Sequence, residues 1–227
     1  MLQAKDIGKR FGRQVVLEQA SLEIKSEIKA LIGLNGSGKS TFLKIVAGIV
    51  NADQGKVILN NREVTNLAPE QRNVGYVPQH PALFQHLNVK KNILYGMRNG
   101  KGSIAAYEQV VEMLDLKEVL EKYPRELSGG YQSRASLARA LIPQPQILLM
   151  DEPLTGMDVV LKDRLLPDFR KVLKELKIPV LYVTHDPKEA ELLADSYAVM
   201  DNAQIRLVET STEAFELIRS SILQDYA

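Results

Sequence analysis

The run Ala30-Leu31-Ile32, followed by Gly33-Leu34-Asn35-Gly36-Ser37-Gly38-Lys39-Ser40 and then Thr41, constrains this chain more than any other stretch. It satisfies the spacing G-x-x-x-x-G-K-[ST] of a phosphate-binding loop, and that spacing needs a strand before it and a helix behind it. Glycines let the backbone turn tightly, so that successive N–H groups around Asn35, Gly36, Ser37 and Gly38 point inward. The following helix adds its positive N-terminal end. Lys39 would reach the β- and γ-phosphates and the Ser40 hydroxyl would complete the coordination of a magnesium ion. With glycine at about 7% of average sequence, a chance match has a probability on the order of 1%. The motif means a nucleoside triphosphate such as ATP and no more; kinases, GTPases, helicases and transporter motors all remain open.

The rest of the chain sets the frame for that loop. At 227 residues it suits one globular unit, and 45% hydrophobic with 25% charged residues is ordinary for a soluble domain. A net charge of +1 gives no global field for nucleic acid or an anionic bilayer. Cysteine is absent, which excludes disulfides, thiolate metal sites and cysteine nucleophiles. No apolar stretch has the length of a signal peptide or of a membrane span, so any membrane role is expected to be peripheral. Short apolar runs at Val57-Ile58-Leu59, Ile147-Leu148-Leu149-Met150, Val180-Leu181-Tyr182-Val183 and Tyr197-Ala198-Val199-Met200 read as strands with helical patterns between several of them. That alternation predicts an α/β fold with a parallel sheet.

Residues 81–142 differ, because Val110, Val111, Leu114, Leu116, Val119 and Leu120 fall at helical spacing and predict an inserted helical lobe. Between residues 159 and 177, Val160, Leu165, Leu166, Phe169, Val172, Leu173 and Leu176 form the apolar face of a surface helix. Pro167 interrupts that pattern and predicts a kink or a fresh helix start. The expected organisation is a single domain, with 1–80 and 143–203 as core, 81–142 as helical lobe and 204–227 as a C-terminal tail.

Two further strand ends carry chemistry. The strand before Asp151-Glu152-Pro153 ends in adjacent carboxylates, which strand geometry turns to opposite faces. Alone, such a pair is as often a helix-start signal. Beside a phosphate loop, Asp151 reads as a magnesium ligand and Glu152 as the general base that polarises an attacking water. His185 follows the strand Val180-Leu181-Tyr182-Val183-Thr184 and precedes Asp186-Pro187; its proposed role is a hydrogen bond to the γ-phosphate that orients the water. His80 and His86 have no comparable frame, and the wide separation of the three histidines argues against a metal cluster.

Between these motifs stands Leu127-Ser128-Gly129-Gly130-Tyr131-Gln132-Ser133-Arg134, which runs into the helical pattern Ala135, Leu137, Ala138, Leu141 and Ile142 and stops at Pro143. Here the sequence resembles the ABC ATPase family over nearly its whole length. The resemblance implies a P-loop NTPase (RecA-like) α/β core with an antiparallel β N-terminal part and an inserted α-helical subdomain. It also implies that Ser128, Gly129 and Gly130 receive a phosphate held on another cassette's loop, so that two copies sandwich two nucleotides. Further positions match one at a time. Gln79 matches the glutamine that contacts magnesium and links the site to the helical lobe. Phe11 matches the aromatic that stacks on adenine, usually a tyrosine, against the bland alternative of a core phenylalanine. Asp158 matches the aspartate that couples the two sites across the dimer. Tyr131 and Ser133 stand where the family usually has glutamines, and Thr155-Gly156-Met157-Asp158 departs from the commoner serine-alanine-leucine-aspartate. The signature departures imply weakened or retuned ATPase coupling rather than its loss, since the phosphate contacts fall to Ser128 and Gly130, and Gly156 is expected to add mobility.

Only 89 positions separate Lys39 from Ser128, too few for the long insertions of relatives that act on nucleic acid, and no membrane span is fused as in many exporters. The implied role is the ATPase subunit of an importer at the cytoplasmic face of the membrane. Its partners would be a second copy, separate permease subunits and, indirectly, an extracytoplasmic solute-binding protein. The stretch from Leu83 to Met97 resembles the surface that receives a permease's coupling helix. Lys162-Asp163-Arg164-Leu165-Leu166-Pro167 and 178–185 resemble molybdate or tungstate importer ATPases. The C-terminal regulatory β-domain of many such subunits is expected to be missing. Rival expectations are a small-metabolite kinase, a soluble ABC ATPase unconnected with transport, and a slowly hydrolysing nucleotide-gated interaction subunit.

Overall fold

In the computed structural model, which describes residues 1–97, 102–155, 157 and 159–225, the chain runs through ten strands and seven α-helices among the described residues. In order they are β1 (Leu2–Phe11), β2 (Gln14–Ile24), β3 (Ile28–Ile32), α1 (Lys39–Ala47), β4 (Gln54–Leu59), β5 (Arg62–Glu63), β6 (Val74–Val77), α2 (Val89–Tyr95), α3 (Ile104–Met113), α4 (Gly129–Leu141), β7 (Ile147–Asp151), α5 (Val159–Glu175), β8 (Val180–Thr184), α6 (Pro187–Leu193), β9 (Ser196–Asp201), β10 (Gln204–Val208) and α7 (Ser211–Asp225). The strands form a four-stranded sheet, β2-β1-β4-β5, antiparallel throughout, and a six-stranded sheet, β10-β9-β3-β8-β7-β6. In the larger sheet all neighbours are parallel except β10, which runs antiparallel to β9.

The continuous apolar runs of the larger sheet follow from its position as a middle layer. Leu148 and Met150 of β7, and Val180 and Tyr182 of β8, face one core with Val110, Leu114, Leu137 and Ala138 of the helical lobe. Their neighbours Ile147, Leu149, Leu181 and Val183 face the other core, built on Phe42, Leu43 and Val46 of α1 and on Leu2, Ile7 and Leu22 of the antiparallel sheet. A strand buried on both faces has no polar side to alternate with. Among the described residues the lobe shares its core with the sheet, which fixes the lobe's helices relative to the sheet's edge.

One expectation is corrected and two are sharpened. No fresh helix starts at Pro167: α5 runs unbroken through it, with Leu166, Phe169, Val172 and Leu173 buried on either side. That packing outweighs the ~3 kcal/mol cost of an interior proline. Val160, expected on the buried face, is 78% exposed in the first turn of α5. The segment read as a tail opens with β10, an edge strand reached through a hairpin whose turn residues Asn202 and Ala203 are both left-handed (φ 46 and 62). It continues into α7, which buries Ala214 and Ile218.

The order β3-β8-β7-β6 has a chemical consequence. Parallel strands put their carboxyl ends at one edge, where open α/β sheets bind ligands. The pairings Ile32 with Thr184, Asp151 with Val183 and Val77 with Met150 therefore align the segments that carry the phosphate loop, His185, the carboxylate pair and Gln79.

Candidate active site

The phosphate loop leaves β3 and enters α1 through Gly38, whose φ of 106° is a conformation that side chains resist. A Cβ there would lie 2.7 Å from the Val16 carbonyl oxygen, so the antiparallel sheet presses directly on the loop. Lys39 is 4% exposed, and its ammonium donates to the carbonyls of Gly33 (2.8 Å) and Leu34 (2.7 Å) across the loop it follows. Burial lowers its pKa, partly countered by the charges of Glu152 and Asp151. The Ser37 hydroxyl is buried in the loop without a partner, the kind of orphan that an incoming anion's oxygen would satisfy. Asn35 and Gly36 are exposed on the loop's crest, and Thr41 is half-buried one residue beyond Ser40.

Ser40 donates to Asp151 Oδ1 at 2.9 Å, and the Tyr76 phenol donates to Asp151 Oδ2 at 3.3 Å. Burial pushes the Asp151 pKa up in spite of both bonds. Burial and the Asp151 charge push the Tyr76 phenol well above its usual value, so it remains a donor. The Asp151 carboxylate and the Ser40 hydroxyl offer hard oxygens, as does the amide of Gln79, which follows the neighbouring strand β6. That donor set fits a magnesium ion, which binds through one or two carboxylates and the oxygens of its phosphate substrate.

Glu152 sits at φ 46, a strained conformation for a residue with a side chain, while its N–H donates to Val183 O at 3.0 Å. The turn aims the carboxylate along the sheet edge. There its Oε2 meets Gln79 Nε2 at 3.3 Å, Thr155 Oγ1 at 3.1 Å and His185 Nδ1 at 3.0 Å. Gln79, Glu152 and His185, far apart in sequence, are thus joined on one oxygen. Thr155 and Tyr76 were missed from sequence. Thr155 stands three residues after Glu152 in the turn its amide closes onto the Glu152 carbonyl (3.1 Å), and Tyr76 lies in β6 beside Leu149 of β7.

The other expected residues lie apart. Ser128 caps α4 by position only: it is exposed and its hydroxyl makes no capping bond. A Cβ on Gly129 would meet open space, while Gly130 is buried. Among the described residues, no hydrogen bond ties these three to the phosphate loop. The departures from the family pattern have local roles. Ser133 Oγ donates to Pro153 O at 3.0 Å, linking the signature helix to the residue after Glu152, and Tyr131 carries the Arg134 guanidinium 4.3 Å from its ring centroid. Tyr131, Arg134 and Ser128 border a cleft of about 930 Å³ between α3, α4 and α5. Phe11 is 52% exposed at the end of β1, with Lys9 Nζ 5.4 Å from its ring centroid, so the core alternative does not hold. Gly156 and Asp158 lie outside the described residues.

Comparisons with known proteins identify relatives of the chain. Residues 17–155 match the family model described as ABC transporter. The chain is 45% identical over 185 residues to the molybdate/tungstate import ATP-binding protein WtpC of Archaeoglobus fulgidus, covering 81% of this chain and 77% of that protein. It is 38% identical to the sulfate/thiosulfate import ATP-binding protein CysA of Synechocystis, covering 93% of this chain and 61% of that one, so it spans less than two thirds of the latter's length. Among solved structures, a nucleotide-free ATP-binding cassette from an ABC transporter superposes with a TM-score of 0.82 at 27% identity, covering 97% of this chain and 95% of that one. The cassette MJ0796, a dimer described as a post-hydrolysis state bound to ADP and Pi, gives 0.79 at 26% identity, covering 92% and 98%.

Proposed function

The chain belongs to the ABC transporter family, and from that premise we propose that it is the ATP-hydrolysing subunit of an importer, working as a pair of cassettes against separate permease subunits. The observation that carries this reading is the gathering of Gln79, Thr155 and His185 on one oxygen of Glu152, next to the Ser40–Asp151 pair. A carboxylate so held is a positioned general base. Water attacks the γ-phosphorus in line, Glu152 takes the proton of that water, and the bond to the β-phosphate oxygen breaks to leave ADP and phosphate.

Within this reading the amides from Asn35 to Gly38, the Ser37 hydroxyl and Lys39 hold the phosphates, with Ser40 and Thr41 at the start of α1, and Phe11 offers its exposed ring to the base. Magnesium, held by Ser40, Asp151 and Gln79, would supply neutralisation of phosphate charge. Ser128, Gly129 and Gly130 serve the nucleotide of the second copy, with Asp158 between the two sites. The exposed state of Ser128 supports this division, as does the dimeric form of the related cassette. No helix among the described residues is long and apolar enough to cross a membrane, which fits a subunit seated on the cytoplasmic face of its permease. The names of the relatives favour an oxyanion such as molybdate, tungstate or sulfate, delivered by a solute-binding protein.

The test is Glu152→Gln. It should bind ATP, trap the two-cassette state and lose about 10²- to 10⁴-fold in hydrolysis. Near-normal phosphate release would overturn the general-base assignment, and a phosphorylated acceptor in place of free phosphate would overturn hydrolysis itself. Uptake of labelled oxyanion by the assembled transporter would identify the solute.

A further inference from the structure

Behind the hydrolytic edge, α5 and α6 meet through charge. Glu189 of α6 is 3% exposed, and a carboxylate removed from water is tolerable only where its oxygens are met by donors and a cation. Its Oε2 accepts from the Tyr182 phenol and from the Thr184 hydroxyl, both at 2.8 Å, and its Oε1 lies 2.6 Å from Lys162 Nζ of α5. Lys162 also reaches Asp186 Oδ2 at 3.2 Å. Beside it, Lys188 of α6 pairs with Asp163 of α5 at 2.5 Å. Burial and the Glu189 charge hold the Tyr182 phenol well above its usual pKa, keeping it a donor.

These bonds fall on either side of one residue. Thr184, just before His185, is held by Glu189; Asp186, just after it, is held by Lys162, and its N–H donates to Thr184 Oγ1 at 3.0 Å. The His185 ring itself is 53% exposed, and among the described residues it bonds to Glu152. A ring that exposed takes its direction from its backbone rather than from packing. We infer that Lys162 and Glu189 are positioning residues for His185, clamping the turn 184–186 onto the first turns of α5 so that the imidazole meets Glu152. The inference rests on the reading of Glu152 and His185 as the hydrolytic pair.

The test uses the full chain assembled with its membrane partner. Lys162→Met alone strands a buried carboxylate and can unfold the chain. The informative variant is therefore Lys162→Met with Glu189→Gln, which removes cation and anion together and leaves an amide oxygen for Tyr182 and Thr184. Its kcat is expected to fall about 10- to 100-fold, the cost of a misplaced reacting group, while KM for ATP stays within about two-fold. Added to His185→Ala, the same pair should cost nothing further, because groups acting through one residue are not additive. Parental kcat in the double variant, or a full additional loss on top of His185→Ala, would overturn the inference. Parental turnover in His185→Ala or Glu152→Gln would instead overturn the site reading on which it rests.

Discussion

The phosphate-loop side and the signature side of this cassette are built in opposite ways. On the first, polar groups are already engaged with one another: Lys39 with the loop carbonyls, Ser40 with Asp151, and Glu152 with three donors, with Lys39 and both carboxylates buried. On the second, Ser128 is exposed and uncommitted at the head of a thirteen-residue helix whose N-terminal dipole end faces outward. Groups fixed in place by their own chain are suited to holding and polarising a ligand. Groups left free at a helix start suit a ligand that arrives on another molecule. On the proposed reading one chain supplies two unequal halves, and binding and turnover should respond differently to damage on each.

The largest effect should come from the loop itself. Gly38→Ala must place a Cβ 2.7 Å from the Val16 carbonyl at a φ of 106°, so ATP affinity measured by equilibrium binding should fall at least about 100-fold. On the signature side, Ser128→Arg should leave single-chain ATP binding and thermal stability near parental, as exposed substitutions do, while phosphate release falls about 10²-fold. Equal losses of binding and turnover in that variant would erase the distinction between the halves. A smaller change is expected for Phe11→Ala: removing an exposed stacking ring should raise KM for ATP on the order of five- to fifty-fold with kcat kept. The smallest is a gain. Asp151→Asn removes a buried negative charge while keeping an oxygen for Ser40, so the melting temperature of the nucleotide-free chain should rise by about 2–4 °C for each kcal/mol recovered. The further stabilisation by magnesium-ATP should disappear in the same variant.

The loop, the carboxylate pair and the signature were legible in sequence because each is contiguous and its chemistry tolerates few residue types. Some strands were legible too, since β7 and β8 are unbroken apolar runs. The strand order was not: nothing in residues 28–32 names 180–184 and 196–201 as neighbours, and such pairing emerges from tertiary packing. β10 escaped notice because it is a half-exposed edge strand, with Leu207 68% exposed. Val160 was misread because helical spacing identifies a face without telling which turn of it is covered. Buried polar groups were the least visible. Arg72, 3% exposed, donates to the carbonyls of Leu67, Ile45, Val46 and Thr65, joining the end of α1 to the approach of β6, yet in sequence it is one arginine among surface residues. The same holds for Glu189.

The place of β3 between β8 and β9 bears on how the protein is made. Ile28 must find Val180, and Lys29 must find Ser196. At ribosomal rates these partners emerge on the order of ten seconds after β3 itself. A nascent chain therefore carries β3 without either of its sheet neighbours until residues 180–201 have been synthesised, and such distant pairings also slow folding. The parallel platform behind the glycine loop is thereby completed only once the strands that carry Thr184 and Val199 have been made.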